Sequence, residues 1–349
     1  MRSLFYFLPR CGTRSVHIPA IHMLAALVVL IGSLIGSLLV APPASAQRSE
    51  RPLRFLVGFP AGGGLDSMTR VIGEHIHAAT GRTVVVENKA GAAGRIAAEA
   101  VVRGEADGSL VLSAPIVTTA FFPFIYNKLG FDPLRDLVPI TRFATFQFAL
   151  AVGPQVPANT VAEFIAYLKT KPATASYGSL SPGTPSHFLG EMFKRATGTD
   201  MTHVPYRGSA PALIDLQSGQ ITAVFDTTAS VMQLARAGKI KVLAVTGGHR
   251  SERLPDAPTF AELKLGLGDM ETADLWYGFF APGGTPPAVV QELNGAIAAA
   301  LRDKRVIELI NQLDCRVEID TPAAFAKRIA DDYDRWGPII RATGFKVSE

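Results

Sequence analysis

Leu53-Arg54-Phe55-Leu56-Val57-Gly58-Phe59-Pro60-Ala61-Gly62-Gly63-Gly64-Leu65-Asp66 decides how the chain folds. A short apolar run enters a glycine-rich corner, and beyond it Met68, Val71, Ile72, Ile76 and Ala79 recur at three- and four-residue steps. Apolar residues at that spacing share one helix face, so the stretch predicts a strand, a tight corner and a helix from about Asp66 to Ala79. The corner has two readings. Glycine lets a ligand approach the backbone closely, and a helix start adds partial positive charge, which together suit an anion. The same residues could simply make a tight turn. The corner lacks the Lys-Ser/Thr of a phosphate loop and the spacing of a dinucleotide fingerprint. Asp66 reads as the helix N-cap in preference to a ligand contact.

The same rhythm continues outward. Thr83 to Glu87 and Leu110 to Ala114 read as strands, with a helix from Arg95 to Arg103 between them. Thr160-x-x-Glu163 is a capping box opening a helix to Lys169. Thr184-Pro185 supplies a cap and a first-turn proline for a helix to Ala196. Ile221 to Phe225, a helix up to Gly238, and Lys241 to Thr246 follow. Strands alternating with helices predict an α/β chain with two mainly parallel sheets. The chain is expected to cross between them near Gly153–Pro157 and again near Ala273–Pro282, where Leu275 to Phe280 looks like a buried strand. The tail reads as helices, 287–302 and 322–343. The expected organisation is a leader at 1–46, one domain from 47–150 plus 278–349, and a second from 151–277.

Composition narrows the function. The chain has 349 residues, 48% of them apolar, which fits a folded globular protein. Arg2, Arg10 and Arg14 precede an apolar run from Met23 to Val40, which ends in Ala44-Ser45-Ala46. These are the parts of a secretory signal peptide, expected to be cleaved after Ala46, with an uncleaved anchor as the rival. Without the leader's three arginines, the 34 basic residues fall to 31 against 30 acidic ones. That balance offers no basic face for nucleic acid. Cys315 is then the single cysteine, expected to be a buried thiol. His75 and His77 sit about 200° apart on a helix and cannot share a metal. No His-Glu-x-x-His or Cys-x-x-Cys occurs, and no cofactor or metal is expected.

Further corners resemble the first. Ser176 to His187 places hydroxyls and amides where a strand meets a helix, without the Gly-x-Ser-x-Gly of a nucleophile elbow. His187 reads as a packed or capping residue. A secreted hydrolase using Ser179 or Ser181 with His187 is the enzymatic alternative. Ser209 is expected to cap the helix after His203-Val204-Pro205-Tyr206-Arg207-Gly208. Asp226, at a strand end, could accept a ligand donor or cap a helix. Trp276 and Tyr277 read as core, or as an aromatic wall of a cleft, and Asp331-Asp332 as solvent-facing.

The motifs, taken in order, resemble one family. Gly62-Gly63-Gly64-Leu65-Asp66 with Arg70, Val86-Glu87-Asn88-Lys89-Ala90-Gly91-Ala92-Ala93-Gly94, Asp107-Gly108-Ser109-Leu110 and Gly183-Thr184-Pro185-Ser186-His187 carry the likeness. So do His203-Val204-Pro205-Tyr206-Arg207-Gly208-Ser209, Pro255-Asp256-Ala257-Pro258-Thr259-Phe260 and Trp276-Tyr277-Gly278. The chain is similar to the Bug (TctC-like) periplasmic receptors of tripartite tricarboxylate transporters. The resemblance implies a two-domain Venus-flytrap, type II fold, with each domain a mainly parallel sheet flanked by helices. It also implies a small carboxylate ligand, an organic acid or acidic amino acid, gripped by backbone amides and ordered water from a loop of each domain. The implied partners are integral-membrane permease subunits, with no nucleic acid, and the implied location is the periplasm of a Gram-negative bacterium. A ligand-sensing receptor for a membrane sensor kinase is the alternative role. The candidate ligand-binding set is Phe59, Ala61, Gly63, Gly64, Asp66, Ser113, Ser181, Gly183, Thr184, Tyr206, Gly208 and Asp226. One departure stands out: where the family often has small residues or Asn before the Gly-Thr step, this chain has Leu180-Ser181-Pro182.

Overall fold

In the computed structural model, which describes residues 51–170 and 175–347, the opening stretch forms β1 (Leu53–Val57) and α1 (Gly64–Thr80). The leader expected at 1–46 lies outside the described residues. Leu65, Met68, Val71, Ile72 and Ile76 bury the predicted face of α1, whereas Ala79 is exposed in its last turn. Burying such a side chain contributes about 1.5–3 kcal/mol. Counting helices of eight or more residues, the chain continues β2 (Val84–Asn88), α2 (Arg95–Val102), β3 (Leu110–Pro115), β4 (Leu137–Phe146), β5 (Phe148–Val152) and α3 (Val161–Thr170). Then come β6 (Ser176–Ser179), α4 (Pro185–Thr197), β7 (Thr202–Pro205), α5 (Ser209–Ser218), β8 (Ala223–Thr227), α6 (Thr228–Arg236) and β9 (Lys241–Val245). The chain ends with β10 (Leu275–Pro282), α7 (Pro287–Ala300), α8 (Lys304–Gln312), β11 (Cys315–Val317) and α9 (Pro322–Ala342). Half of the capping box forms: Glu163 N–H donates to Thr160 Oγ1 (3.1 Å), while the Glu163 carboxylate accepts one residue earlier than the motif expects, from Asn159 N–H (2.7 Å).

Two sheets result, in the orders β11-β4-β10-β3-β1-β2 and β7-β6-β8-β5-β9. They are mixed rather than mainly parallel. β1 runs parallel to β2 and β3, and β6 to β7 and β8, but β10 is antiparallel to β3 and β4, and β5 to β8 and β9. β10 and β5 are the strands entering from the other sheet, so they run against the βαβ units they join; β11 is antiparallel to β4 at the edge. The chain changes sheets at Gln147, between β4 and β5, and returns between Val245 and Leu275. Gly153–Pro157, expected as a crossing, is instead the turn after β5. The two crossing segments are bonded to each other: Gln147 Nε2 donates to the carbonyls of Thr246 (2.6 Å) and His249 (2.5 Å).

The acidic pair on α9 departs from expectation. Asp331 is exposed and pairs with Lys327, but Asp332 is fully buried. It accepts from Trp276 Nε1 (2.7 Å) and Arg328 Nε (2.7 Å), and from Arg335 (3.0 Å). The last helix is thereby pinned to β10. Cys315, expected to be buried, is half-buried, because β11 is the edge strand of its sheet; its surroundings still push its thiol up to about 12. No helix among the described residues is long and apolar enough to cross a membrane.

Candidate functional site

Both glycine-rich corners open onto one cavity of about 680 Å³ between the sheets. From the first lobe it is lined by Phe59, Pro60 and Gly63 to Asp66, and from the second by Leu180 to Pro185 and Thr227. Gly58 explains how the first corner is held. A Cβ there would lie 2.4 Å from the Gly94 backbone, so only glycine lets the corner rest on the loop carrying Ala92 and Ala93, which also line the cavity. Asn88 Nδ2 ties the corner down further, donating to Phe59 O (3.1 Å) and Asp66 Oδ1 (2.8 Å).

Asp66 is not the N-cap; Gly63 is, and Asp66 is the third residue of α1. The Asp66 carboxylate reaches back to accept from Gly62 N–H (2.8 Å) and pairs with Arg70 (2.9 Å). Burial pushes its pKa up, but these bonds outweigh that and hold it below the usual carboxylate range. Ser67 is the residue whose N–H bonds Gly63 O (2.9 Å), so the amides of Gly63 to Asp66 point out of the helix end. The second corner is built differently. Pro182 and Pro185 carry no N–H, and Gly183 N–H donates to His187 Nδ1 (3.2 Å). Thr184 is the α4 N-cap, but its hydroxyl donates to Ser181 O (2.6 Å). Ser181 and Thr184 line the cavity at the positive end of α4, where their amides and the Ser181 hydroxyl could donate to a ligand.

Of the twelve candidate residues, Phe59, Gly63, Gly64, Asp66, Ser181, Gly183 and Thr184 line the cavity. The other five do not. Ala61 is exposed beside the corner. Ser113 is fully buried beneath α1, 2.8 Å from the Thr69 hydroxyl. Tyr206 and Gly208 brace the second corner from behind, their N–H groups donating to Ser179 O and Leu180 O (both 2.9 Å). The Tyr206 hydroxyl is spent on Asp215 (2.7 Å). Ser209 does not cap α5; Gly208 does, and the Ser209 hydroxyl donates to Asp226 (2.9 Å). Asp226 is fully buried and also accepts from Thr227 N–H (2.7 Å), while its other oxygen has no partner. Ser179 meets His203 (2.6 Å) instead of His187 and is fully buried, which removes the Ser179–His187 pairing.

Residues outside the candidate set complete the cavity: Val117, Ile125, Tyr126, Phe146, Phe148, Tyr277 and Val347. Strand alternation accounts for Tyr277, since its fully buried neighbour Trp276 points to the opposite face. Nothing local marks Val347, which the tail brings back through its N–H bond to Ile125 O (2.9 Å).

Two buried groups near the second corner titrate away from their ordinary values. Burial raises Asp226 to about 6. Burial, then the facing His203 stacked at 4.0 Å and Lys194, lowers His187 to about 4. An acid with a raised folded pKa stabilises the fold below its unfolded value and loses that contribution as pH rises through 6. A histidine with a lowered pKa does the reverse, contributing above about 6.5 and losing it as pH falls through 4. Each is worth up to about 3 kcal/mol, and between pH 4 and 6.5 they offset. Urea titrations should therefore show Asp226→Asn gaining on the wild type as pH rises from 4 to 7. His187→Asn should gain as pH falls over the same range. Differences that do not move with pH would mean both groups are solvent-like.

Comparison with known proteins agrees with this geometry. Residues 68–345 match the tripartite tricarboxylate transporter family receptor, TctC. Protein BugT of Bordetella pertussis is 33% identical over 323 residues, 92% of this chain and 98% of its own. Among solved structures, the periplasmic binding protein BugD is 31% identical, with 85% of this chain and 99% of that one covered and a TM-score of 0.68. Rpa4515 of R. palustris, solved with adipate, is 30% identical (85% and 98% covered, TM-score 0.70). MatC of Rhodopseudomonas palustris, with bound malate, is 27% identical (83% and 99% covered, TM-score 0.67). Two mixed-sheet lobes around a shared cavity and a family match across most of the chain lead to one assignment: the protein belongs to the TctC/Bug family of periplasmic solute-binding receptors, a family of binding proteins and not of enzymes.

Proposed function

We propose that the protein captures a small carboxylate in the cleft between its lobes and delivers it to the permease subunits of a tripartite tricarboxylate-type transporter. Residues 1–46 export it to the periplasm of a Gram-negative bacterium. The observation that carries this reading is that the N-termini of α1 and α4 open onto the same cavity. Helix starts attract anions through unpaired amides and the helix dipole. Each amide–carboxylate bond contributes about 1.5–3 kcal/mol, and closure of the lobes around the ligand is the accompanying motion. The relatives solved with adipate and malate support a carboxylate. A thermal-shift screen over mono-, di- and tricarboxylates, amino acids and neutral sugars tests it. A binder at a hundredfold excess over Kd should add about 2.7 kcal/mol of stability. A sugar that shifts Tm where no acid does would contradict the carboxylate reading. Delivery is tested by co-purifying liganded receptor with solubilised permease; recovery that ignores ligand would contradict it.

A further inference from the structure

We propose that the ligand is a monocarboxylic acid with an uninterrupted apolar body, aromatic or alkyl, and no second charge. This rests on the carboxylate reading above and deepens it. The two helix ends serve one anionic group, and the rest of the wall is built for something else. Among the described residues lining the cavity there is no Lys, Arg or His. The charged one, Asp66, is negative, and its oxygens are already taken by Gly62, Asn88 and Arg70.

The far wall is aromatic. Phe146 and Tyr277 stack at 4.5 Å between ring centroids and 21° between planes, and Phe148 lies 6.1 Å from Phe146. Stacked rings on neighbouring strands present a flat apolar platform that a ring or an alkyl chain can cover. Leu180 and Pro182 bring apolar bulk from the facing loop. The hydroxyls of Tyr126, Thr184 and Thr227 are bonded within the protein, and Ser181 and Tyr277 bring neutral hydroxyls only. Arg95 stands behind the lining rather than in it: it packs over the Tyr126 ring at 4.8 Å and pairs with Glu99 at 3.3 Å, with its Nε buried and without a partner. A second carboxylate would leave water for this wall without a cation to meet it, an expensive transfer. An apolar body gains with every methylene it buries there. The cavity, about 680 Å³, lies in the range of sites for drug-sized ligands, roughly 300–1,000 Å³.

Matched probes separate the inference from the reading beneath it. Hexanoate and adipate share a six-carbon chain and differ by the second carboxylate; hexanamide keeps the chain and removes the charge. Calorimetry on the full mature protein at pH 7 is expected to give hexanoate at least about tenfold tighter binding than adipate, and hexanamide at least about tenfold weaker binding than hexanoate. Leu180→Asn should weaken hexanoate by about fivefold and leave adipate unchanged. Adipate binding as tightly as hexanoate, or Leu180→Asn weakening both alike, would overturn the monocarboxylate inference and leave the carboxylate reading standing. Hexanamide matching hexanoate would overturn the carboxylate reading itself. If hexanoate, 3-phenylpropionate and adipate all fail to bind, both fall.

Discussion

Asp332→Ala is expected to remove about 3–5 kcal/mol of unfolding stability, a large share of the roughly 5–15 kcal/mol typical of folded proteins. The cause is what the substitution leaves behind. Asp332 is fully buried, and its loss strands the Trp276 indole N–H and takes the carboxylate away from Arg335, while Arg328 is left with Asp274 Oδ2 (3.3 Å) as its one counter-charge. Arg328 keeps a bond to Asp274 O (3.1 Å) and Arg335 one to Thr272 O (3.1 Å), both on the segment returning from the second lobe. Asp332→Asn should cost about half as much, because its oxygen still accepts from Trp276 while the charge is gone. Urea midpoints of the three proteins check this. A loss below about 1 kcal/mol for the alanine variant would mean that the network carries no net stability.

That carboxylate also shows where sequence reading falls short. Phe325, Ile329, Asp332 and Trp336 follow the four-three-four spacing of one helix face, and the first, second and fourth are core residues. The periodicity was therefore present, but a buried charge is stable only beside partners, and these come from β10 and from its own helix. The opening strand, corner and helix were legible because their signals are local: a glycine run, then apolar residues at helical spacing. The capping box and the Leu275–Phe280 strand were legible for the same reason. The two corners that line the cavity were likewise readable, since helix starts announce themselves in Gly-Gly-Leu-Asp and Gly-Thr-Pro-Ser. The opposite wall was not. Phe146 and Phe148 flank the residue where the chain changes sheets, and that both face the cavity depends on register between strands far apart in sequence. Ser113, Tyr206 and Gly208 lie near the corners but spend their bonds holding them, a distinction only three-dimensional packing makes.

Gly63→Val is expected to weaken binding of hexanoate, or of the tightest acid in the screen, at least about a hundredfold while leaving the fold in place. A hundredfold is the loss of roughly two amide–carboxylate bonds. Gly63 has φ −73°, open to any residue, and a Cβ there meets nothing closer than Pro60 O at 3.5 Å. The backbone therefore accepts valine, at about 1 kcal/mol for a poor N-cap, while the side chain fills space at the helix end where the anion would sit. Gly183 makes a poorer test. Its φ is +77° and a Cβ would lie 2.7 Å from the Phe345 ring, so a substitution there strains the loop and the tail together. Calorimetry paired with thermal unfolding distinguishes the outcomes. A Gly63→Val protein that folds and binds normally would show that the α1 amides do not hold the ligand.

The most direct measurement is a crystal structure of the protein with its bound acid. The carboxylate oxygens should lie about 2.7–3.2 Å, directly or through one ordered water, from amides of both Gly63–Asp66 and Ser181–Thr184, with the apolar body against Phe146, Phe148 and Tyr277. A carboxylate held by one corner alone, or bound outside the shared cavity, would contradict the account.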